Sequence, residues 1–165
     1  MSIRSNRKEE HLSLANQFYE PNKPNSFDQM GLLRPALPEA KVDLNSIKTT
    51  MFDKSVNAPF FINAMTGGSA KSFSINQAFG KIAQQAKIGL ALGSASILVK
   101  EAEQLDSFLI AREKNPDGVI IANVNAKTEA MDAQKIVNEL NADALQIHLN
   151  TVQEIAMPEG DRDCG

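Results

Sequence analysis

The sequence predicts an α/β fold built from parallel βα repeats, and three observations carry that prediction. Four short apolar runs stand at 60–64 (FFINA), 89–93 (GLALG), 119–124 (VIIANV) and 143–150 (DALQIHLN). Between them lie segments whose apolar residues recur at helical spacing, so the order is strand, helix, strand, helix, strand, helix, strand. The runs are also apolar on both faces, as a parallel sheet covered on both sides requires.

The elements can be justified in chain order. Residues 5–19 carry Leu12, Leu14 and Ala15 among polar residues and read as a weakly amphipathic helix. Pro21, Pro24, Pro35 and Pro38, with Asn22, Asn25 and Gly31 between them, then break periodicity to about Val42. This assigns 1–58 to an N-terminal helix and extended arm, and 59–165 to the repeats. The first helix of the repeats begins near Ser72, with Ile75, Ala78, Phe79, Ile82, Ala83 and Ala86 on one expected buried face. A second runs through Ala102, Leu105, Phe108 and Leu109, and Pro116, Asp117 and Gly118 form a turn after it. The third presents Ala130, Ala133, Val137 and Leu140. Element order alone fits an open doubly wound sheet or a TIM (β/α)₈ barrel. The absence of a G-x-G-x-x-G or G-x-x-x-x-G-K-[ST] motif weakens the nucleotide-binding open sheet.

Composition narrows the function classes. The 165 residues suit about one domain, and 17 basic against 20 acidic residues give a net charge of −3. Such a chain has no global attraction for nucleic acid or an anionic membrane, so any anion must be bound locally. A single cysteine, Cys164, has no intrachain partner and fits a reducing compartment. No apolar run of 18 residues and no signal-peptide core is present, so a soluble, cytoplasmic protein is expected.

Each strand candidate ends in residues more polar than a connection needs: NAMTGGS, GSAS, NVNA and HLNTVQE. These carboxyl ends are where ligands sit in barrels and open parallel sheets alike. Met65-Thr66-Gly67-Gly68 suits either a tight turn or close backbone approach to a flat ligand. Ser94 and Ser96 suit helix N-caps or ligand contacts. Asn123 could bridge strand-end carbonyls, and His148 could be a satisfied core histidine. Glu154 is either a surface carboxylate or an oxygen ligand for a hard divalent ion. Arg7, Lys8 and His11 form either a solvated charged arm or a phosphate grip.

In combination these pieces resemble type 2 isopentenyl diphosphate isomerase, a flavoprotein barrel family. The matching segments are RKEEH at 7–11, PFFINAMTGG at 59–68, LALGS at 90–94, IANV at 121–124, ALQIHLNTVQE at 144–154 and MPEGDRD at 157–163. The resemblance implies the N-terminal half of a TIM barrel and interconversion of isopentenyl and dimethylallyl diphosphate. It implies FMN as cofactor, NADPH as reductant and Mg²⁺ with the diphosphate. It assigns Arg7, Lys8 and His11 to the diphosphate, and Ala64, Met65, Thr66, Ser94 and Asn123 to FMN. His148, Asn150 and Gln153 become catalytic-pocket residues, Gln153 also near the isoprenyl group, and Glu154 the Mg²⁺ ligand. A homo-oligomer without nucleic-acid or membrane partners is expected of the full-length form.

Three features depart from the family pattern. Ala95 and Ser96 stand where relatives often carry Gln or Arg after GS, Asn125 stands where Gly is common, and the chain stops after four of eight strands. A barrel needs about 250 residues and builds its phosphate site late in the chain, so this chain looks truncated and inactive alone. Another FMN-dependent barrel oxidoreductase and a non-catalytic half-barrel remain the alternatives. The basic arm and the Gln153-Glu154 pair argue against the former, because a carboxylate substrate needs neither.

Overall fold

The computed structural model describes residues 3–33, 36–37 and 43–156, without the side chains of 3–5, 44, 46, 153 and 154. The MPEGDRD segment and Cys164 lie outside the described residues. Helix α1 (Ile3–Gln17) leads into an irregular arm, then a hairpin of β1 (Thr49–Met51) and β2 (Lys54–Val56). The repeats follow as β3 (Phe61–Ile62), α2 (Ala70–Ala86), β4 (Gly89–Ala91), α3 (Asp106–Lys114), β5 (Ile120–Asn125), α4 (Ala130–Glu139), β6 (Ala144–His148) and α5 (Thr151–Ala156).

The four strands of the repeats pair in parallel in the order β3-β4-β5-β6. Sequence order is kept across the sheet with no reversal, so there is no switch point of the kind a doubly wound sheet needs. Helices α2, α3 and α4 pack on one face. Ala83 of α2, Phe108 and Ala111 of α3, and Ile136 and Leu140 of α4 share one core with Leu90, Leu92, Ile120, Ala122 and Val124. A sheet with these helices outside and sequential parallel strands is half of a barrel wall. Phe108 is fully buried at the centre of this core, and its truncation to Ala would cost about 3–5 kcal/mol.

The opposite, concave face carries a second core of Val56, Ala91, Val119 and Ile121, with Met51 and Ala144 against it. The β1–β2 hairpin therefore covers the amino-terminal end of the concave face. Its two turn residues, Phe52 and Asp53, both have positive φ, at 48° and 62°. That is the type I′ geometry that suits a two-residue hairpin, reached here without the usual Asn-Gly. Arg112 and Asp143 tie down the same end. The Arg112 guanidinium donates to the carbonyls of Asn115, Pro116, Gly118 and Asn141 and pairs with Asp143 at 2.9 Å. Lys54 reaches Asp143 at 2.7 Å and the Gly118 carbonyl at 3.0 Å. Burial pushes the Asp143 carboxyl up, but the bonds from Lys54, the Ile120 amide and Arg112 outweigh it and hold it below the ordinary value.

Three expectations change. The buried stripe of α2 is Ser72, Asn76, Gly80 and Ala83, whereas Ala78, Ile82 and Ala86 are exposed. Packing against α3 selects small and polar residues here. A Cβ on Gly80 would stand 2.7 Å from the Ala111 carbonyl oxygen, and Asn76 donates to the Ser107 carbonyl at 2.7 Å. The expected second helix begins as a 3₁₀ turn, Ala102–Gln104, and becomes α-helical only in α3; a further 3₁₀ turn, Ala95–Val99, precedes it. On α1, Leu12 is half-buried but Leu14 and Ala15 are exposed, so its apolar stripe is not a packing face.

Candidate functional site

The carboxyl ends of β3, β4, β5 and β6 form one rim, knitted by strand-end backbone and side chains. The Gly93 amide donates to the Thr66 carbonyl at 3.0 Å, joining the first two loops. Only glycine permits that approach, since a Cβ at 93 would lie 2.5 Å from the Thr66 carbonyl carbon. The Ser94 hydroxyl meets Ser96 at 3.3 Å, and Ser96 accepts from the Asn125 amide at 2.9 Å and meets Thr128 at 2.9 Å. These contacts join the second loop to the third. Ser94 occupies the N-cap position of the 95–99 turn but makes no capping bond, so the capping expectation fails there. The cap of α2 is Ser69 instead, whose hydroxyl accepts from the Ser72 amide.

The third and fourth strands are joined by side chains on the concave face. Buried Asn123 donates to Gln146 at 3.0 Å, and its Oδ1 lies 2.8 Å from His148 Nδ1. An amide oxygen can only accept, so neutral His148 carries its proton on Nδ1 and keeps a lone pair on Nε2. His148 is half-buried at the end of β6. It is thus an oriented ring on the concave wall, more than a filler of the core.

Helix α1 brings Lys8 to the rim. Lys8 Nζ donates to the Ser94 carbonyl at 2.9 Å and sits 5.7 Å from the centre of the Phe108 ring. Its neighbour Glu9 accepts from the Lys71 amide at 3.1 Å and pairs with Lys71 Nζ at 3.0 Å. Burial raises the Glu9 carboxyl, but bonds from Ser69 and Lys71 prevail and hold it below its ordinary value. Arg7 is half-buried beside Lys8, and His11 is exposed one turn further on. Desolvation and the Arg7 charge push His11 below the ordinary histidine value, Glu10 opposes, and Lys8 adds to the fall.

The remaining predicted residues divide clearly. Met65 is open and Ala64 half-buried, whereas Thr66 is buried with its hydroxyl on Ser72. Asn150 is exposed just beyond β6. Gln153 and Glu154 lie on α5, and their side chains fall outside the described residues. Among the described residues no three His, Cys, Asp or Glu side chains converge on a common metal position. Glu9 is the residue that sequence reasoning missed; its contacts lie 62 positions away, beyond any local pattern. A shallow crevice of about 420 Å³ lined by Asn45, Lys48, Asn57 and Phe60 lies away from this rim, by the start of β4.

Comparison with known proteins gives the rim a context. The chain is 41% identical over 162 residues to the isopentenyl-diphosphate delta-isomerase of Latilactobacillus sakei, covering 98% of this chain and 46% of that protein. It is 40% identical over 164 residues to the enzyme of the same name from Limosilactobacillus reuteri, covering 98% and 47%. The corresponding Listeria welshimeri protein is 40% identical over 160 residues, covering 97% and 45%. The chain spans about half the length of these relatives. No family model matches it. None of its described helices is long and apolar enough to cross a membrane.

Proposed function

We propose that this chain forms the first half of the active site of an FMN-dependent isopentenyl-diphosphate delta-isomerase. The observation that carries the reading is the docking of Lys8 on the strand-end rim, 2.9 Å from the Ser94 carbonyl. It brings a cation to the strand-end rim, whose concave side carries an oriented imidazole and a buried amide. A diphosphate needs such a local cation in a chain of net charge −3. The similarity to proteins named for isopentenyl diphosphate supports the same substrate.

In this reading Lys8 and Arg7 hold the non-reacting diphosphate, which fixes the isoprenyl chain along the concave wall. Asn123 holds His148 as the Nδ1–H tautomer, leaving Nε2 to accept or relay a proton. Asn150 and Gln153 supply neutral amides, which orient an alkene without quenching the positive charge that develops on protonation. Ala64, Met65 and Ser94 would line the flat flavin ring, and Asn123, which gives one N–H to Gln146 and turns its oxygen to His148, has a second N–H to offer it. Bound and reduced by NADPH, FMN would supply the acid–base chemistry that moves the double bond without net redox change. Glu154 would supply the carboxylate for a Mg²⁺ ion held with the diphosphate.

Co-expression of this chain with the second half of the Latilactobacillus sakei relative tests the reading. With FMN, NADPH, Mg²⁺ and isopentenyl diphosphate, the pair should form dimethylallyl diphosphate. Lys8→Ala should raise KM about tenfold or more with little change in kcat, as expected for a uniform contact to a group that does not react. No turnover from a folded, flavin-loaded pair, while the relative's own two halves are active together, would overturn it.

A further inference from the structure

We infer that Glu9 is a positioning residue: its carboxylate caps the amino end of α2 and thereby fixes the N-terminal helix, with Lys8, on the strand-end rim. The first backbone N–H groups of a helix have no partner within it. In α2, whose N-cap is Ser69, the Ser69 hydroxyl takes the Ser72 amide and the Glu9 carboxylate takes the Lys71 amide. Two orphan donors are thus satisfied from two places, one local and one from 62 positions earlier in the chain. A negative group is also favoured there by the helix dipole.

The ion pair between Glu9 and Lys71 is not what makes the contact strong. The Lys71 side chain is 68% exposed, and a solvated lysine contributes little to holding a partner. The backbone amide, by contrast, is rigid and aimed, and Glu9 is largely covered, with 19% of its side chain exposed. Most of α1 is otherwise exposed, so a single well-formed cap matters to its placement. Glu9 adjoins Lys8, so the cap sets the position from which Lys8 reaches the Ser94 carbonyl and the Phe108 ring. What Lys8 then holds rests on the proposed function; the cap does not.

Hydrogen exchange on the 165-residue chain tests this directly. Glu9→Ala should speed exchange of the Lys71 amide and of the α1 amides about five- to tenfold, as loss of a cap does, with the β5 amides unchanged, whereas Glu9→Gln keeps a side-chain oxygen that accepts from that amide and should speed it no more than about twofold. Lys71→Met keeps the backbone amide and should speed α1 exchange no more than about twofold. Glu9→Asp, one methylene short of the amide, should fall between. Unchanged α1 exchange in Glu9→Ala, or loosening in Lys71→Met equal to that in Glu9→Ala, would overturn the assignment. Calorimetric titration with inorganic pyrophosphate separates the two proposals. Weaker binding in Glu9→Ala than in the native chain supports both, whereas no binding by the native chain counts against the diphosphate reading and leaves the exchange result to decide the cap.

Discussion

At Gly93 the first two strand-end loops touch backbone to backbone, and the rim depends on the absence of a single methyl group. Gly93→Ala would drive Cβ to within 2.5 Å of the Thr66 carbonyl carbon, where neither side is a flexible side chain. We expect a loss of about 1–3 kcal/mol in urea denaturation, the usual range for overpacking. Gly31→Ala is the control: nothing lies within 4 Å of the added atom, and stability should change by less than about 0.5 kcal/mol. An equal effect at both positions would show that the close approach at 93 is not what holds the loops.

Among elements, the hairpin and the amino-terminal ends of β5 and β6 form a unit around Asp143. Its carboxyl is depressed in the fold, so the unfolded chain binds the proton more readily. Stability rises with pH across that window. The contribution is therefore fully present above the unfolded value of 3.8 and is lost as pH falls through the lower folded value. Asp143→Asn should cost about 1–3 kcal/mol at neutral pH, by stripping Lys54 and Arg112 of a charged partner. Below pH 3.8 the gap between variant and native chain should narrow. Denaturation midpoints measured from pH 3 to 7 check this, and a constant gap would remove Asp143 as the titrating group.

At the scale of the molecule, β3 and β6 are, among the described residues, the open edges of one parallel sheet. Large apolar side chains lie exposed along them: Phe60 by β3, and Ile147, Leu149 and Val152 at and beyond β6. Unpaired edges flanked by apolar surface are templates for association. We expect the 165-residue chain to self-associate in size-exclusion chromatography with light scattering, and to retain little FMN alone by absorbance. A soluble monomer with stoichiometric flavin would show that this half of the wall suffices.

Much of this was legible in the residues. The four strands and the rim of polar groups at their carboxyl ends follow from apolar runs interrupted by Gly, Ser and Asn, because strand period and turn chemistry are local. The β1–β2 hairpin was not legible, since its turn reaches positive φ through Phe52 and Asp53 rather than a glycine. The stripe of α2 was misread for the same reason in reverse: Ile82 has the right residue type for a core, but Gly80 and Asn76 face α3, and residue type cannot say which face a neighbour covers. Element order could not separate the barrel wall from the open sheet; the resemblance pointed to the barrel, and the fold bears it out by keeping the strands in sequence order with α2, α3 and α4 packed on one face. Only the fold could bring Glu9 to Lys71 and Lys8 to Ser94, because contacts across 62 and 86 positions are set by how elements pack and leave no pattern along the chain.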